Sequence, residues 1–284
     1  MAPLKMVIPK GKLHARVLAL LNDAGLGVET DPRLYVPRVA AEGIAAKLLK
    51  PQNIPRLLDL GAHDLGFTGR DWLEESGAQA VELLDLGFDP VRIVAAVPAN
   101  QSLAALRRRR IVAASEYENL ARRFLDARGF RYEFIRTYGA TEVFPPDDAD
   151  LIVDNSSTGR TLRAHQLKVA AVILESTTRL VAGRAALEDR AKRERIEELV
   201  LLFRSLLDAR ERVMLEMNVL PQRLDGLVAA LPCMRAPTVA RLFGDQGYSV
   251  KAAVPRREVA ALIPRLKRLG ASDILEYEFR KVVL

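Results

Sequence analysis

An apolar run that ends in an acid and leads into small hydroxyl residues is the segment of this sequence best suited to chemistry. Residues 150–162 read DLIVDNSSTGRTL, so Asp154 closes a predicted strand at 151–153 and precedes a Ser/Thr/Gly loop. Small residues allow backbone N–H groups to point into one concavity. A helix predicted to begin near Arg160 adds the positive end of its dipole. The segment therefore favours a pocket for a phosphate monoester.

Asp154 extends that interpretation from a phosphate to a sugar phosphate. An ionised carboxylate accepts hydrogen bonds and donates none, which suits the vicinal hydroxyls of a ribose. Acid and loop together favour a cradle for a 5-phosphoribosyl group. The alternative is a Ser/Thr-rich loop in which Asp154 only caps the following helix. Because short motifs give many false matches, the segment alone leaves both interpretations open.

The elements that position this loop alternate between strands and helices over the first 180 residues. We predict strands at residues 5–9, 64–68, 91–97, 111–114, 130–137 and 151–153, and helices at residues 15–24, 54–61 and 117–128. Glycines end two of these helices, at Gly25 and Gly129. Such alternation is typical of an α/β architecture with largely parallel sheets.

The pattern changes after residue 185. Ile196, Leu199 and Phe203 recur at three- and four-residue spacing, which predicts one long amphipathic helix from residue 185 to about residue 210. The segment that follows, residues 213–283, predicts the order βαββαβ, the ferredoxin-like arrangement. Modules of this kind sense metabolites or join subunits, and the fold alone does not decide between these roles.

Composition excludes several classes of protein. Hydrophobic residues make up 49% of the chain and charged residues 28%, which is ordinary for a globular protein and not for a disordered, collagen-like or coiled-coil chain. The apolar runs are strand-length, and no secretory signal pattern is found, so we expect a cytoplasmic location and no membrane partner. The single cysteine, Cys233, excludes an internal disulfide and a multi-thiolate metal site.

The charge balance predicts an anionic partner. Lys and Arg number 43 against 36 Asp and Glu, a net charge of +7. Apart from residues 107–110 the basic residues are dispersed, and only 6% of the chain is aromatic. Nucleic-acid interfaces usually cluster basic residues with aromatic ones, so we favour a small anionic ligand and expect no nucleic acid. The three histidines are scattered, which predicts no metal site built from protein side chains.

Five segments, in order along nearly the whole chain, carry more specific signatures. Residues 9–13 read PKGKL, residues 64–71 read DLGFTGRD and residues 139–145 read GATEVFP, while the loop at 154–162 is the fourth. The fifth is the C-terminal set of Asn218, Leu231-Pro232, Pro237-Thr238 and GASDI at 270–274. Together these segments resemble the long form of the ATP phosphoribosyltransferase family, which catalyses the first step of histidine biosynthesis.

The resemblance implies a fold and a reaction. The family transfers the 5-phosphoribosyl group of phosphoribosyl pyrophosphate (PRPP) to N1 of ATP and releases pyrophosphate, with Mg²⁺ held mainly by the substrate phosphates. Two α/β lobes, similar to a periplasmic solute-binding protein, carry the site, and a C-terminal ferredoxin-like domain binds histidine as an allosteric inhibitor. A homo-hexamer is implied. The corresponding ranges are 1–90 with 178–210 for lobe I and the connector helix, 91–177 for lobe II, and 211–284 for the regulatory domain.

The resemblance also assigns site residues. The set expected to bind PRPP is Glu142, Asp154, Ser157, Thr158, Gly159, Arg160 and Thr161. The set expected to bind ATP or pyrophosphate is Lys10, Lys12, Lys50, Arg70 and Asp71. No residue is expected to act as a general acid or base, because adenine N1 is already a nucleophile and magnesium pyrophosphate is a competent leaving group. The enzyme mainly aligns the substrates and stabilises the separating charge.

Some positions depart from the family pattern. Lys50 stands where an arginine is common, and lysine lacks the planar fork that binds a phosphate through two hydrogen bonds. Asn53 stands where an aspartate is common, and Asn155 and Ser156 replace residues that are usually apolar. Two alternatives therefore remain: a catalytically weak paralogue, and a solute-binding or effector-sensing protein of the same two-lobed fold. Binding of PRPP without turnover would reveal the paralogue.

Overall fold

The chain forms two compact units, Met1–Glu197 and Glu198–Leu284. The computed structural model describes residues 2–31 and 34–284. None of the helices in those ranges is long and apolar enough to cross a membrane.

Strands and short helices alternate through the first unit. Its strands are β1 (Leu4–Pro9), β2 (Val28–Glu29), β3 (Arg38–Val39), β4 (Ile44–Leu49), β5 (Leu65–Gly69), β6 (Val81–Asp85), β7 (Val91–Pro98), β8 (Arg110–Ser115), β9 (Arg131–Arg136), β10 (Leu151–Ser156), β11 (Leu167–Ser176) and β12 (Thr178–Ala182). Its helices are α1 (His14–Asp23), α2 (Ile54–Asp59), α3 (Arg70–Ser76), α4 (Leu103–Leu106), α5 (Glu118–Asp126), α6 (Arg160–Ala164) and α7 (Arg184–Glu188), and α8 (Arg190–Arg210) follows.

Two five-stranded sheets define two lobes within this unit. The sheet of lobe I has the strand order β4-β1-β5-β12-β6, and the sheet of lobe II has the order β11-β7-β10-β8-β9. Both central regions are buried, because β5 is buried along its whole length and β7 from Ile93 to Val97. The α/β fold predicted from the alternating pattern is confirmed. So are the glycine ends of two helices: Gly25 follows α1 with φ +91° and Gly129 follows α5 with φ +69°.

The prediction of largely parallel sheets holds only in part, because in each sheet four of the five strands run in the same direction and one strand, β12 in lobe I and β7 in lobe II, is reversed. In lobe I, β1 is parallel to β4 and β5, but β12 is antiparallel to β5 and β6. In lobe II, β8 is parallel to β9 and β10, but β7 is antiparallel to β10 and β11. The chain leaves lobe I from β6 into β7 and returns from β11 into β12. Because the chain crosses in opposite directions, β12 pairs antiparallel with β6 in lobe I, and β11 pairs antiparallel with β7 in lobe II.

The single helix predicted from residue 185 to about residue 210 is also wrong at its start. Asp189 is extended, with φ −76° and ψ 115°, and separates α7 from α8. Its carboxylate accepts the backbone N–H of Lys192 at 3.1 Å, and its carbonyl accepts the N–H of Arg193 at 2.9 Å. Asp189 therefore caps the long helix and fixes where it begins.

The second unit has the predicted ferredoxin-like order. Its elements are β13 (Arg212–Val219), α9 (Leu224–Val228), β14 (Thr238–Arg241), β15 (Tyr248–Pro255), α10 (Val259–Arg268) and β16 (Ser272–Glu278). The four strands form one antiparallel sheet in the order β14-β15-β13-β16. Every second residue of β13 is buried, as the alternating pattern predicts. The last strand ends at Glu278 and not near 283, because the N–H of Val282 binds the carbonyl of Ser205 at 2.9 Å.

Candidate functional site

The loop that follows β10 lines a cavity of about 380 Å³. Three carboxylates, those of Glu116, Glu142 and Asp154, line the same cavity together with Lys12. The cavity therefore contains all seven residues predicted to bind PRPP, namely Glu142, Asp154, Ser157, Thr158, Gly159, Arg160 and Thr161. Of the residues predicted to bind ATP or pyrophosphate, it contains Lys12.

The loop has the backbone geometry of a concave anion pocket. Gly159 has φ +70° and ψ 10°, the left-handed region that favours glycine, and α6 begins at the next residue as predicted. The side chains of Ser157, Thr158 and Thr161 are exposed, so their hydroxyls are available to a ligand. Because α6 has only five residues, its dipole is small, and the N–H and hydroxyl donors of the loop provide most of the attraction for an anion.

Asp154 lies within β10, which continues past the predicted end at Val153 to Ser156. Burial, together with the neighbouring carboxylates of Glu142 and Glu116, raises the pKa of Asp154 to about 7, while a hydrogen bond from the N–H of Asn155 opposes the shift. That N–H lies 2.7 Å from Oδ1 of Asp154. A ligand that donates hydroxyl groups or brings positive charge would stabilise the ionised form.

Asp71, predicted to face a nucleotide or pyrophosphate, is buried and already hydrogen-bonded. Its Oδ1 accepts the hydroxyl of Ser176 at 2.7 Å, and its Oδ2 accepts the hydroxyl of Tyr117 at 2.8 Å. A Cβ at Gly69 would lie 2.0 Å from Oδ1, so only glycine leaves room for this carboxylate. Asp71 borders a smaller cavity of about 180 Å³ that Lys12 also lines. Burial and the charge of Asp71 raise the pKa of Tyr117.

Helices α3 and α5 join the two lobes beside this residue. The rings of Trp72 and Tyr117 stack with centroids 4.4 Å apart. The two carboxylate oxygens of Glu75 accept the backbone N–H groups of Asn119 and Leu120, each at 2.9 Å. Burial raises the pKa of Glu75, while these two hydrogen bonds lower it. Lobe I thus caps the first turn of a helix that belongs to lobe II.

The remaining predicted residues are divided among separate places. Lys50 lines a cavity of about 390 Å³ together with Asn53 and Trp72. Arg70 lines another, of about 490 Å³, that borders the loop at Ser157. Lys10 lines none of these four cavities in the described part of the chain, and its ammonium lies 3.9 Å from the centroid of the Tyr35 ring.

Sequence reasoning missed Glu116. This residue lines the cavities of 380, 390 and 180 Å³. It directly follows β8, the parallel neighbour of β10, and the last pair in that register is Val153 with Ser115. Asp154 and Glu116 are therefore the next residues along two adjacent strands. The signal was an acid close to the end of each of two apolar runs, at residues 111–114 and 151–153, since the carboxyl ends of parallel strands meet at one edge of a sheet.

The fold and the site define a two-lobed α/β protein with a polar cavity beside the loop that follows β10 and with a C-terminal ferredoxin-like unit. Residues 50–205 match the family model for ATP phosphoribosyltransferase (HisG), and residues 209–281 match that for its C-terminal domain. The chain belongs to the ATP phosphoribosyltransferase family, which confirms the resemblance found in its motifs.

Individual relatives support the same assignment over the full length. The chain is 38% identical to the ATP phosphoribosyltransferase of Chlorobium phaeovibrioides, covering 99% of this chain and 97% of the relative. It is 39% identical to that of Desulforudis audaxviator, covering 99% of each chain. Among solved structures, a chain of the ATP phosphoribosyl transferase (HisG:HisZ) complex from Thermotoga maritima aligns with a TM-score of 0.65 and 25% identity, over 72% of this chain and 98% of that one.

Proposed function

We infer that this chain transfers the 5-phosphoribosyl group of PRPP to N1 of ATP and releases pyrophosphate, the first step of histidine biosynthesis. Family membership and full-length similarity to ATP phosphoribosyltransferases support the reaction. The single observation that carries the site is the 380 Å³ cavity in which the loop faces two carboxylates. Donors for a phosphate and acceptors for ribose hydroxyls line the same cavity.

Within this proposal the two sides of the cavity have different tasks. The N–H and hydroxyl groups of residues 157–161 bind the 5-phosphate, and Glu142 and Asp154 accept hydrogen bonds from the ribose hydroxyls. Lys12 lines both this cavity and the 180 Å³ cavity. Its charge therefore suits the pyrophosphate that leaves between the two substrates.

The nucleotide side of the proposal centres on the 390 Å³ cavity. Lys50 supplies positive charge there, and the indole of Trp72 supplies an apolar surface for a flat ring. Arg70 reaches a phosphate from the neighbouring 490 Å³ cavity. Asp71 acts through Tyr117 and Ser176, whose hydroxyls bind it. Lys10 is retained as a nucleotide-binding residue from the family resemblance alone.

Catalysis in this proposal needs alignment and charge stabilisation and no general acid or base. Mg²⁺ enters as a complex with the phosphates of PRPP, because it is a hard cation that prefers oxygen ligands and keeps several waters. Within residues 2–31 and 34–284, no group of three His, Cys, Asp or Glu side chains is placed to hold a metal.

Regulation and assembly complete the proposal. We assign histidine inhibition to the ferredoxin-like domain at 211–284, and the catalytic lobes to 1–90 with 178–210 and to 91–177. The family match at 209–281 supports the first assignment, and the composition of the two sheets supports the second. A homo-hexamer and a cytoplasmic location are retained from the sequence.

The reaction is tested by pyrophosphate release from ATP plus PRPP with Mg²⁺, with and without millimolar histidine. We expect release that needs both substrates and falls with histidine. Release that ignores histidine would retain the enzyme and remove the regulatory assignment. PRPP binding without release would favour the catalytically weak paralogue.

The site is tested by Asp154→Ala, with Asp147→Ala as the control because Asp147 is exposed and lines none of the four cavities described above. Loss of a hydrogen-bonded charged contact is expected to weaken PRPP binding roughly 10- to 100-fold, measured by calorimetry. Unchanged affinity in Asp154→Ala would show that the ribose binds elsewhere.

A further inference from the structure

Glu116 is the one residue that lines three of the described cavities. The cavity of 380 Å³ contains Asp154 and the phosphate loop, the cavity of 390 Å³ contains Lys50 and Trp72, and the cavity of 180 Å³ contains Lys12. If the proposed function is correct, Glu116 lies where the pocket for the sugar phosphate meets the pocket for the nucleotide.

The backbone on both sides of Glu116 is fixed to the strand that carries Asp154. The hydroxyl of Ser115 donates to the carbonyl of Val153 at 2.5 Å and accepts the N–H of Tyr117 at 2.8 Å. Ser115 is 0% and Tyr117 1% exposed, so both flanking side chains are anchored in the interior. Only Glu116, between them, is partly exposed to the cavities. Its position relative to Asp154 is therefore set before any ligand binds.

The carboxylate of Glu116 is also unoccupied by protein donors. Among residues 2–31 and 34–284, no side chain or backbone N–H forms a hydrogen bond or ion pair with it. Neighbouring acids are different: Glu75 caps α5, and Glu118 pairs with Arg122 at 2.9 Å. A Cβ placed on Gly139 would lie 4.0 Å from Oε1 of Glu116, so this oxygen faces the segment that carries Glu142. A carboxylate that stands on a fixed backbone and has no protein partner is suited to a cationic or N–H-rich ligand group.

We propose that Glu116 is a catalytic carboxylate that touches both substrates and stabilises the positive charge formed as the sugar is transferred to adenine. In that step the bond from C1 of the ribose to the pyrophosphate oxygen breaks, and its electron pair leaves with pyrophosphate. The lone pair of adenine N1 forms the new bond to C1. The positive charge passes from the sugar to the adenine ring, whose N6 amino group becomes a stronger hydrogen-bond donor to Glu116. No proton transfer is required.

This placement couples Glu116 to the titration of Asp154. The charge of Glu116 is one of the causes that raise the pKa of Asp154. Removing that charge allows Asp154 to ionise at lower pH. The pH dependence of PRPP binding therefore reports whether the charge of Glu116 lies beside Asp154, while kcat reports whether Glu116 acts in catalysis.

The test compares Glu116→Gln, Glu116→Asp and the control Glu133→Gln, an exposed acid on β9 that lines none of the four cavities. For Glu116→Gln we expect kcat to fall by about 100-fold, the scale for loss of one electrostatic contact to a transition state. The dissociation constant of PRPP at pH 8.5, measured by calorimetry, is expected to change by less than about 3-fold. The pH midpoint of PRPP binding should move down, and Glu116→Asp should recover part of kcat.

Each other outcome overturns the proposal. An unchanged kcat in Glu116→Gln removes the catalytic role, and equal losses of kcat and PRPP affinity with an unmoved pH midpoint assign Glu116 to structure. If the wild-type protein binds PRPP but releases no pyrophosphate, the proposed function fails. In that case a shifted midpoint in Glu116→Gln would still place the residue beside Asp154 while its catalytic role falls.

Discussion

At Asp154, the ionised form that would accept hydrogen bonds from a ligand is the form that the folded protein stabilises less. Its side chain is largely buried and shares the cavity with two other carboxylates, which together raise its pKa to about 7. The folded protein therefore holds this proton more tightly than the unfolded chain does. Groups with strongly shifted pKa values are concentrated at functional sites, since a ligand supplies the interactions that the free protein lacks. In the proposed function, the hydroxyl groups of a ribose supply these interactions.

The raised pKa predicts how stability changes with pH. The stabilisation that comes from the protonated Asp154 is lost as pH rises from about 4 to about 7, and this contribution does not change above pH 7. Between these values Asp154 ionises in the unfolded chain and stays protonated in the folded protein. We expect Asp154→Asn to be more stable than the wild type at pH 8 by up to about 4 kcal/mol. The gain should shrink steadily towards pH 5, while PRPP affinity is lost. Urea unfolding at several pH values measures both curves.

The control for this prediction is Asp147→Asn, which removes an exposed carboxylate ahead of β10. Its stability difference from the wild type should stay close to zero at every pH. A gain in Asp154→Asn that does not depend on pH would show that packing, and not ionisation, is responsible.

At the scale of elements, the contact between α3 and α5 determines how the lobes meet. The residue at the N-cap of α5, Tyr117, provides no capping side chain of its own. Glu75 from α3 supplies both acceptors instead, and the side chain of Asn119 returns a hydrogen bond to the carbonyl of Glu75 at 2.8 Å. One helix terminus therefore depends on the presence of the other lobe.

Removal of the Glu75 carboxylate should consequently destabilise the first unit. We expect Glu75→Ala to lower the free energy of unfolding by about 1–3 kcal/mol, because two backbone N–H groups, of which that of Leu120 is buried, lose their acceptors. Glu74→Ala is the matched control, since Glu74 is exposed and its carboxylate lies 3.9 Å from Arg123 in a surface pair. Urea unfolding monitored by the fluorescence of Trp72 compares them. Equal losses in both variants would contradict a specific role for the cap.

The sequence predicted those features that depend on residues close together in the chain. The glycine after α1 and the alternating burial of β13 follow from backbone conformation and from one buried face, and both were predicted. The break at Asp189 was not, because apolar spacing continues past it and only the cap shows where α8 begins. Glu116 was missed for a different reason. Its significance comes from the register between β8 and β10, which no local pattern contains.

At the scale of the whole molecule, the two units have separate hydrophobic cores. Leu58 of α2 lies in a core cluster of lobe I with Val7 and Val181. Leu266 of α10 lies in the core cluster of the ferredoxin-like unit. Every residue that lines the four cavities belongs to the first unit. In the proposed function, turnover and inhibition by histidine should therefore respond differently to the loss of packing in each core.

A matched pair of cavity-forming variants tests this separation. Leu58 is 1% and Leu266 0% exposed, so Leu58→Ala and Leu266→Ala each should cost about 2–5 kcal/mol in the unit that contains the residue. We expect Leu266→Ala to weaken histidine inhibition while turnover without histidine stays within about two-fold of the wild type, at a temperature where both variants remain folded. Leu58→Ala should lower turnover and leave the fractional inhibition by histidine unchanged.

Pyrophosphate release across a histidine titration measures both quantities, and circular dichroism confirms that each variant is folded at the assay temperature. The two units share the α8 region, since the boundary falls between Glu197 and Glu198 within that helix. If Leu266→Ala lowers turnover as strongly as Leu58→Ala does, catalysis depends on the packing of the second unit as well. Catalysis and regulation would then not be separable by core. Full inhibition in Leu266→Ala would instead move the histidine site out of the ferredoxin-like unit.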